Sequence, residues 1–236
     1  MVLYNDLTQC RFLCRVNRFI AKCEIGGRET TVHVKNTGRL GELLLPGAAA
    51  YVEHSAAPGR KTAYDLVAVE NRGYVVNIDS QAPNRIVREW IENGGWAEGI
   101  CNLKGEQSVG DSRFDFAYER NGRRGLIEVK GVTLFDDEGM AYFPDAPTER
   151  GVKHIRGLIQ TARAGMDSGI CFVLQREGVI GLRPNDGTHP AFGQALRDAV
   201  AAGVRVTAAM CHVTPDSCTI THTVPVYPGL DKECRP

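Results

Sequence analysis

The hydrophobic pattern of this 236-residue chain changes period once, at Ala82, and that change limits what the chain can become. Before it, short runs alternate apolar and polar residues with a period of two, the signature of half-buried strands. Ala21, Cys23 and Ile25 alternate with Lys22 and Glu24; Gly26-Gly27 follows, a two-residue turn that tolerates positive φ; then come Thr30, Val32 and Val34. That is a hairpin. Further strands are expected at about 11–16, 19–25, 30–35 and 48–54, with a paired region over 62–78 that divides at Asn71-Arg72-Gly73. So many short strands in so short a stretch favour closure, which removes exposed edges. A barrel of the OB type, a β-sandwich fragment and an SH3-like barrel all fit this pattern.

After Ala82 the period lengthens. Residues 84–93 read as a helix ended by Gly94-Gly95, followed by strands at 100–106, 113–119 and 125–130, the last two joined through Arg120-Asn121-Gly122-Arg123. Thr148 is placed to cap a second helix running to Ala164, with Ile155, Leu158, Ile159 and Ala162 as its apolar stripe. A buried strand at 169–175, a strand at 179–182, a helix at 190–202 and a strand at 204–213 complete the order. The expectation is a two-domain α/β (α+β) protein, with a barrel over 1–81 and an α/β domain over 82–236. With 43% hydrophobic and 24% charged residues, both units have enough apolar side chains for a core.

The chemistry concentrates in the second unit. Glu128 and Lys130 stand two apart on one strand, so they share a face, while Val129 turns to the other. Asp115 lies on the preceding strand, where pairing brings its carboxylate towards Glu128. Two carboxylates at one point repel unless a cation lies between them, and a hard divalent ion takes carboxylates, waters and a phosphate oxygen. The expectation is therefore Mg²⁺ or Mn²⁺ held by Asp115, Glu128 and the Val129 carbonyl, with Glu89 as an additional ligand. Lys130 stands ready to orient water or offset charge on a phosphoryl group. On an ordinary solvated sheet the same residues would make only cross-strand ion pairs. What distinguishes them is the order: helix with Glu89, strand, strand with Asp115, strand with Glu-x-Lys, helix, strand. This is the topology of PD-(D/E)xK nucleases.

Several blocks carry a closer likeness: Asn17-Arg18-Phe19, Asn36-Thr37-Gly38 ahead of Leu45-Pro46-Gly47, Arg60-Lys61-Thr62 leading into Tyr64-Asp65-Leu66, and Asn84-Arg85. Arg113-Phe114-Asp115-Phe116, Ile127-Glu128-Val129-Lys130 with Val132-Thr133, and Phe143 through Gly151 with Lys153-His154 extend it. By these the chain resembles the sugar fermentation stimulation protein A family almost end to end. The resemblance implies an OB-like barrel followed by a PD-(D/E)xK nuclease-like domain, DNA binding, and a link to the regulation of sugar use.

Two basic groups are candidates for nucleic-acid contact. Arg11, Arg15, Arg18, Lys22, Lys35 and Arg39, interleaved with Phe12 and Phe19, suit a groove that follows a strand. Arg150, Lys153 and His154 open the second helix at positions that share a face, where free N–H groups also favour phosphate. Arg113, beside Asp115, joins them. Asp145 and Glu149, in the proline-containing loop before that helix, are expected to lend outer carboxylates.

Charge balance is neutral, 28 basic against 28 acidic residues, so no whole-molecule field points to a polyanion. The eight cysteines are scattered and read as reduced core residues; Cys211, Cys218 and His222 form the one group imaginable on zinc, without a Cys-x-x-Cys pair. The start lacks a secretory pattern and no apolar run reaches the ~20 residues of a membrane span, so a cytoplasmic location away from membranes is expected. The functional expectation is a divalent-metal-dependent nuclease acting on DNA, single strands included, or RNA. A non-catalytic DNA-binding regulator of maltose-type sugar metabolism on a nuclease-like scaffold is the alternative, and a homodimer is compatible with either. No phosphate-cradling glycine loop or catalytic triad supports a sugar-converting enzyme.

Overall fold

The structure is a computed structural model that describes residues 1–55 and 59–229. Its first unit contains β1 (Leu7–Arg15), β2 (Ile20–Ile25), β3 (Arg28–Val34), β4 (Ala49–His54), β5 (Tyr64–Asn71) and β6 (Tyr74–Asn77). Five of these close into a ring: β1 pairs with β2 and β4, β2 with β3, β4 with β5, and β3 meets β5 in parallel at His33↔Asp65 and Val34↔Leu66. That closure makes the unit an OB barrel and excludes the open sandwich. The hairpin at Gly26-Gly27 falls where the alternation places it, with φ of 56° and 76°. Phe12 is buried in the barrel core, whereas Phe19 stands about half exposed.

The second unit contains α1 (Ala82–Glu92), β7 (Cys101–Val109), β8 (Ser112–Arg120), β9 (Arg123–Val132), β10 (Leu134–Phe135), β11 (Met140–Phe143), α2 (Glu149–Arg163), β12 (Asp167–Leu174), β13 (Gly181–Pro184), α3 (Pro190–Ala201), β14 (Arg205–Val213) and β15 (Cys218–Val224). Its main sheet runs β15-β14-β12-β9-β8-β7, parallel at the centre and antiparallel at both flanks, the PD-(D/E)xK arrangement. Thr148 caps α2 by accepting from the Gly151 amide at 3.1 Å. Alternation along β9 and β12 feeds two cores. Leu126, Val132, Ile170 and Phe172 pack under α2 and α3, while Ile127, Val129, Cys171 and Val173 pack under α1.

Three features depart from the sequence reading. β15, β10 and β11 are additional, and the strand expected at 179–182 is shifted to Gly181–Pro184, where it joins β10 and β11 in a short separate sheet. Cys211 and Cys218 are buried in the core beneath α1, whereas His222 is exposed on β15 opposite Met210, so the sulfurs and the imidazole do not converge. The seven described cysteines are free; Cys234 lies outside the described residues.

The two units interlock. Val2 bridges Ser217, the Leu3 amide donates to Asp216 O at 2.8 Å, and Tyr4 is buried. At the crossing point the Asn77 amide donates to Gln175 O at 3.0 Å, while Gln175 Nε2 donates to the Asn77 carbonyl at 3.0 Å and to Asn77 Oδ1 at 2.9 Å. Among the described residues no helix is long and apolar enough to cross a membrane.

Candidate metal centre

The antiparallel pairing of β8 with β9 runs from Arg120↔Arg123 to Phe116↔Ile127 and stops there, although β7 and β8 remain paired out to Val109↔Ser112. The β7–β8 hairpin therefore leaves β9 at Asp115. The ladder is replaced by a side chain: Asp115 Oδ2 accepts from the Val129 amide at 2.7 Å. Its other oxygen accepts from Asn84 Nδ2, on the first turn of α1, at 2.9 Å. This break in the sheet places the carboxylate between two strands.

Glu128 faces α2 and is 2% exposed. Its Oε1 accepts from Lys130 Nζ at 2.5 Å and is hydrogen-bonded to His154 Nδ1. Arg150 Nε donates to His154 Nε2 at 3.3 Å, which fixes the imidazole proton on Nδ1, so that His154 donates to Glu128. Among the described residues, Oε2 of Glu128 is buried with no hydrogen-bond partner. Burial raises the Glu128 pKa, but the His154 hydrogen bond and the Lys130 charge outweigh it, and the carboxyl lies below its usual range. Asp115 moves upward, through burial first and the Glu128 charge second, against the Val129 amide, Asn84 and Lys130.

These observations test the fit of a divalent cation. A buried carboxylate oxygen without a donor is costly, and a second carboxylate raised by the charge of the first says that the two repel. A hard cation with oxygen preference relieves both, and the donor set of Asp115 and Glu128 suits Mg²⁺ or Mn²⁺, which retain several waters. The described residues contain no group of three or more His, Cys, Asp or Glu side chains poised for a metal, consistent with a site that depends on solvent and substrate oxygens for the rest.

Asp115, Glu128 and Lys130 are brought together as expected, but other assignments move. Glu89 is turned away: its carboxylate lies 3.2 Å from the Met1 amino group, one stripe around α1 from Asn84, which is the residue that reaches Asp115. Val129 meets Asp115 through its amide. Asp145 accepts from the Arg39 amide at 3.0 Å, and Glu149 is bonded to His189 at 3.1 Å, so neither supplies an outer carboxylate. His154, expected to meet phosphate, is buried against Glu128.

The basic barrel group does not form the expected groove. Arg15 donates to five backbone carbonyls, those of Asn17, Arg18, Asn36, Gly38 and Arg39, at 2.7–3.2 Å, and so clamps a loop. Arg11 pairs with Glu24 at 2.6 Å, Lys22 with Glu29 at 3.2 Å, and Lys35 with Asp79 at 3.0 Å. Arg113 is paired with Glu106. Arg18 and Arg39 are exposed.

Where the hairpin departs, α2 closes in. A Cβ on Gly157 would lie 3.0 Å from Phe114 Cζ and 3.1 Å from Ser112 Oγ, so any larger residue would push the hairpin and helix apart by a few tenths of an ångström. Between hairpin and helix lies a cleft of about 870 Å³ lined by Arg150, Lys153, Arg156 and Gln160. Arg156 and Gln160 were missed in the sequence, yet they continue the stripe begun by Arg150 and Lys153.

Comparison with known proteins places this geometry among relatives. The family described as sugar fermentation stimulation protein RE domain matches residues 81–217, and the SfsA N-terminal OB domain matches residues 13–78. A sugar fermentation stimulation protein homolog of Desulfitobacterium hafniense (strain DSM 10664 / DCB-2) is 47% identical over 214 residues, covering 91% of this chain and 93% of that protein. A homolog from Clostridium beijerinckii is 44% identical over 223 residues, 94% and 98% of the two chains. The structure of Pyrococcus furiosus SfsA in complex with Ca²⁺ matches with a TM-score of 0.87 at 31% identity, over 96% of this chain and 98% of that one.

Proposed function

Because the chain belongs to the sugar fermentation stimulation protein family, we propose that it is a divalent-metal-dependent nuclease that hydrolyses phosphodiester bonds in nucleic acid. The observation that carries the proposal is the partnerless buried oxygen of Glu128 beside the raised carboxyl of Asp115. A relative of the same fold has been solved in complex with Ca²⁺, an oxygen-seeking cation of the same class. When bound, such an ion supplies Lewis-acid polarisation of the phosphoryl group and activation of water.

The residues then divide the remaining tasks. Asp115 and Glu128 hold the cation. Asn84 and the Val129 amide orient Asp115, and His154 orients Glu128. Lys130, largely buried, offsets the charge that gathers on the phosphoryl oxygens as the bond to water forms, a fixed charge in a low-dielectric setting. Lys153 and Arg156, exposed along the cleft, bind the sugar-phosphate backbone on one side of the cut. The free thiols suit a cytoplasmic location.

The test is cleavage of labelled single-stranded and duplex DNA and RNA with Mg²⁺ or Mn²⁺. Wild type is expected to cut only with metal, and Glu128→Gln to lose about 10³-fold or more in rate while remaining folded. A wild-type protein that binds these substrates and cuts none of them overturns the proposal. It would leave the binding-scaffold reading, which draws support from the Lys130 charge and the His154 hydrogen bond that already satisfy Glu128 Oε1.

A further inference from the structure

Three of the sequence blocks noted above take no part in the metal centre, yet they converge on one cavity. Phe19 follows the β1–β2 turn, His33 to Thr37 end β3, and Arg60 to Thr62 precede β5; with Ser80 and Gln81 ahead of α1 they enclose about 600 Å³. This volume lies within the ~300–1,000 Å³ of small-ligand pockets.

Its lining carries three cations, Lys35, Arg60 and Lys61, and one carboxylate, Asp65; Lys35 is taken up by Asp79 at 3.0 Å, which leaves Arg60 and Lys61 to meet a ligand. Asp65 is 3% exposed and serves as an anchor. Arg60 grips it with both terminal nitrogens, and His33 Nδ1 lies 2.9 Å from it. Among the described residues, the Arg60 bonds to Asp65 and Ser55 leave its Nε–H and one terminal N–H for a ligand, already oriented. Lys61 is exposed beside it. At the rim Phe19 is 48% exposed, with the Arg18 guanidinium 6.0 Å from its ring centre. Cations that favour phosphate beside an exposed aromatic ring are the chemistry of a nucleotide.

One wall leads to the metal centre and the other to the start of α2. Gln81 precedes Asn84 by three residues, about 4.5 Å along a helix, and Asn84 holds Asp115. Thr37 continues into Gly38 and Arg39, which meet Asp145 just before the cap of α2; a Cβ on Gly38 would lie 2.5 Å from Asp145 Oδ2.

We propose that this barrel cavity is a subsite for one unpaired nucleotide of a strand whose neighbouring phosphodiester lies at Asp115 and Glu128, its base stacked on Phe19 and its phosphate held by Arg60 and Lys61. The assignment rests on the nuclease reading and goes beyond it in naming the substrate: a base within a duplex is stacked on both faces and cannot meet Phe19, so the strand entering here is single.

The experiment uses full-length protein without metal, so that nothing is cut, and fluorescence anisotropy with a labelled short oligothymidylate, a blunt duplex of mixed sequence, and dTMP as competitor. Phe19→Ala and Lys61→Ala both alter exposed side chains. Each is expected to weaken oligothymidylate binding about tenfold, the loss of one stacked base or one phosphate contact, and to leave duplex binding unchanged. Lys61→Ala should also reduce the salt slope by about 0.7. Normal oligothymidylate affinity in both variants overturns the subsite while leaving wild-type cleavage to stand. Displacement by dTMP at concentrations as low as those of unlabelled oligothymidylate overturns the strand as occupant in favour of a free nucleotide. Wild type that neither binds nor cuts any strand removes the nuclease reading itself.

Discussion

Asp65 in the barrel and Glu128 in the α/β domain are almost equally buried, 3% and 2% exposed, and each lies beside a lysine and a histidine. Their oxygens are treated differently. Both oxygens of Asp65 are closed by the chain, Oδ1 by His33 and Arg60 and Oδ2 by Arg60. Glu128 receives both of its partners on Oε1 and none on Oε2. A second carboxylate has been brought up to the incomplete one, whereas the complete one has an arginine in that place. The contrast separates an acid that stabilises a fold from one kept incomplete for something from outside. Both acids sit low on the pH scale because partners outweigh burial, so the titration of either alone would not separate them.

The sharpest way to break this contrast is to neutralise each acid with its isostere. Asp65→Asn breaks the charged hydrogen bonds from Arg60 and His33, although Lys35 keeps Asp79, and should cost about 3 kcal/mol of unfolding free energy. Glu128→Gln also takes the counter-charge from Lys130, but it relieves Asp115 of a like charge and empties no contact on Oε2, so in the absence of metal its cost should be smaller, about 1 kcal/mol. Urea unfolding of the two variants compares them directly, and equal losses would erase the distinction.

Metal addition sharpens it further. At a hundredfold excess over its dissociation constant, Mn²⁺ should stabilise wild type by about 2.7 kcal/mol, and Asp65→Asn by the same amount. Glu128→Gln should gain almost nothing. Thermal melts with and without metal read this, and an unchanged melting temperature in wild type would leave the incomplete oxygen unexplained.

The smallest effect concerns Asp115. Its pKa is raised in the folded state, so its contribution to stability is present below the ordinary carboxylate value near 3.9 and is lost as pH rises through the raised value. Asp115→Asn should therefore stabilise the metal-free protein at neutral pH by roughly 0.2–1 kcal/mol, the scale of a like-charge pair across strands. Asp65 has the opposite sign: its depressed pKa gives stability above the ordinary value that is lost as pH falls through the depressed one. Melting curves from pH 7 down to 3 on both asparagine variants follow the two limbs separately, and parallel curves would contradict both assignments.

What could be read from residues alone follows from range. The hairpin at Gly26-Gly27, the pairing around Asn121-Gly122 and the Thr148 cap are local, and all three are present. Glu128 and Lys130 share a face because the strand period is two, and this brought the two side chains together with Asp115. Glu89 was misplaced because both stripes of α1 carry polar residues, and only the path of residues 1–4 decides which stripe meets β8 and which meets the Met1 amino group. Arg15 looked like a phosphate contact because three of its five acceptors, Asn36, Gly38 and Arg39, lie on a loop that approaches it only after the barrel closes. β15 has just two buried side chains, Cys218 and Ile220, in seven residues, too weak an alternation to declare an edge strand.

The barrel is held to its neighbour at several places far apart in sequence: at Val2–Tyr4 on the turn before β15, at Asn77 where the chain passes Gln175 on its way into α1, at Tyr74 beneath the Arg176 guanidinium, and at Arg39, whose amide reaches Asp145. Attachments spread this widely resist a swing about any one of them. A threading strand would thus meet a saddle already assembled, rather than a jaw that must first close.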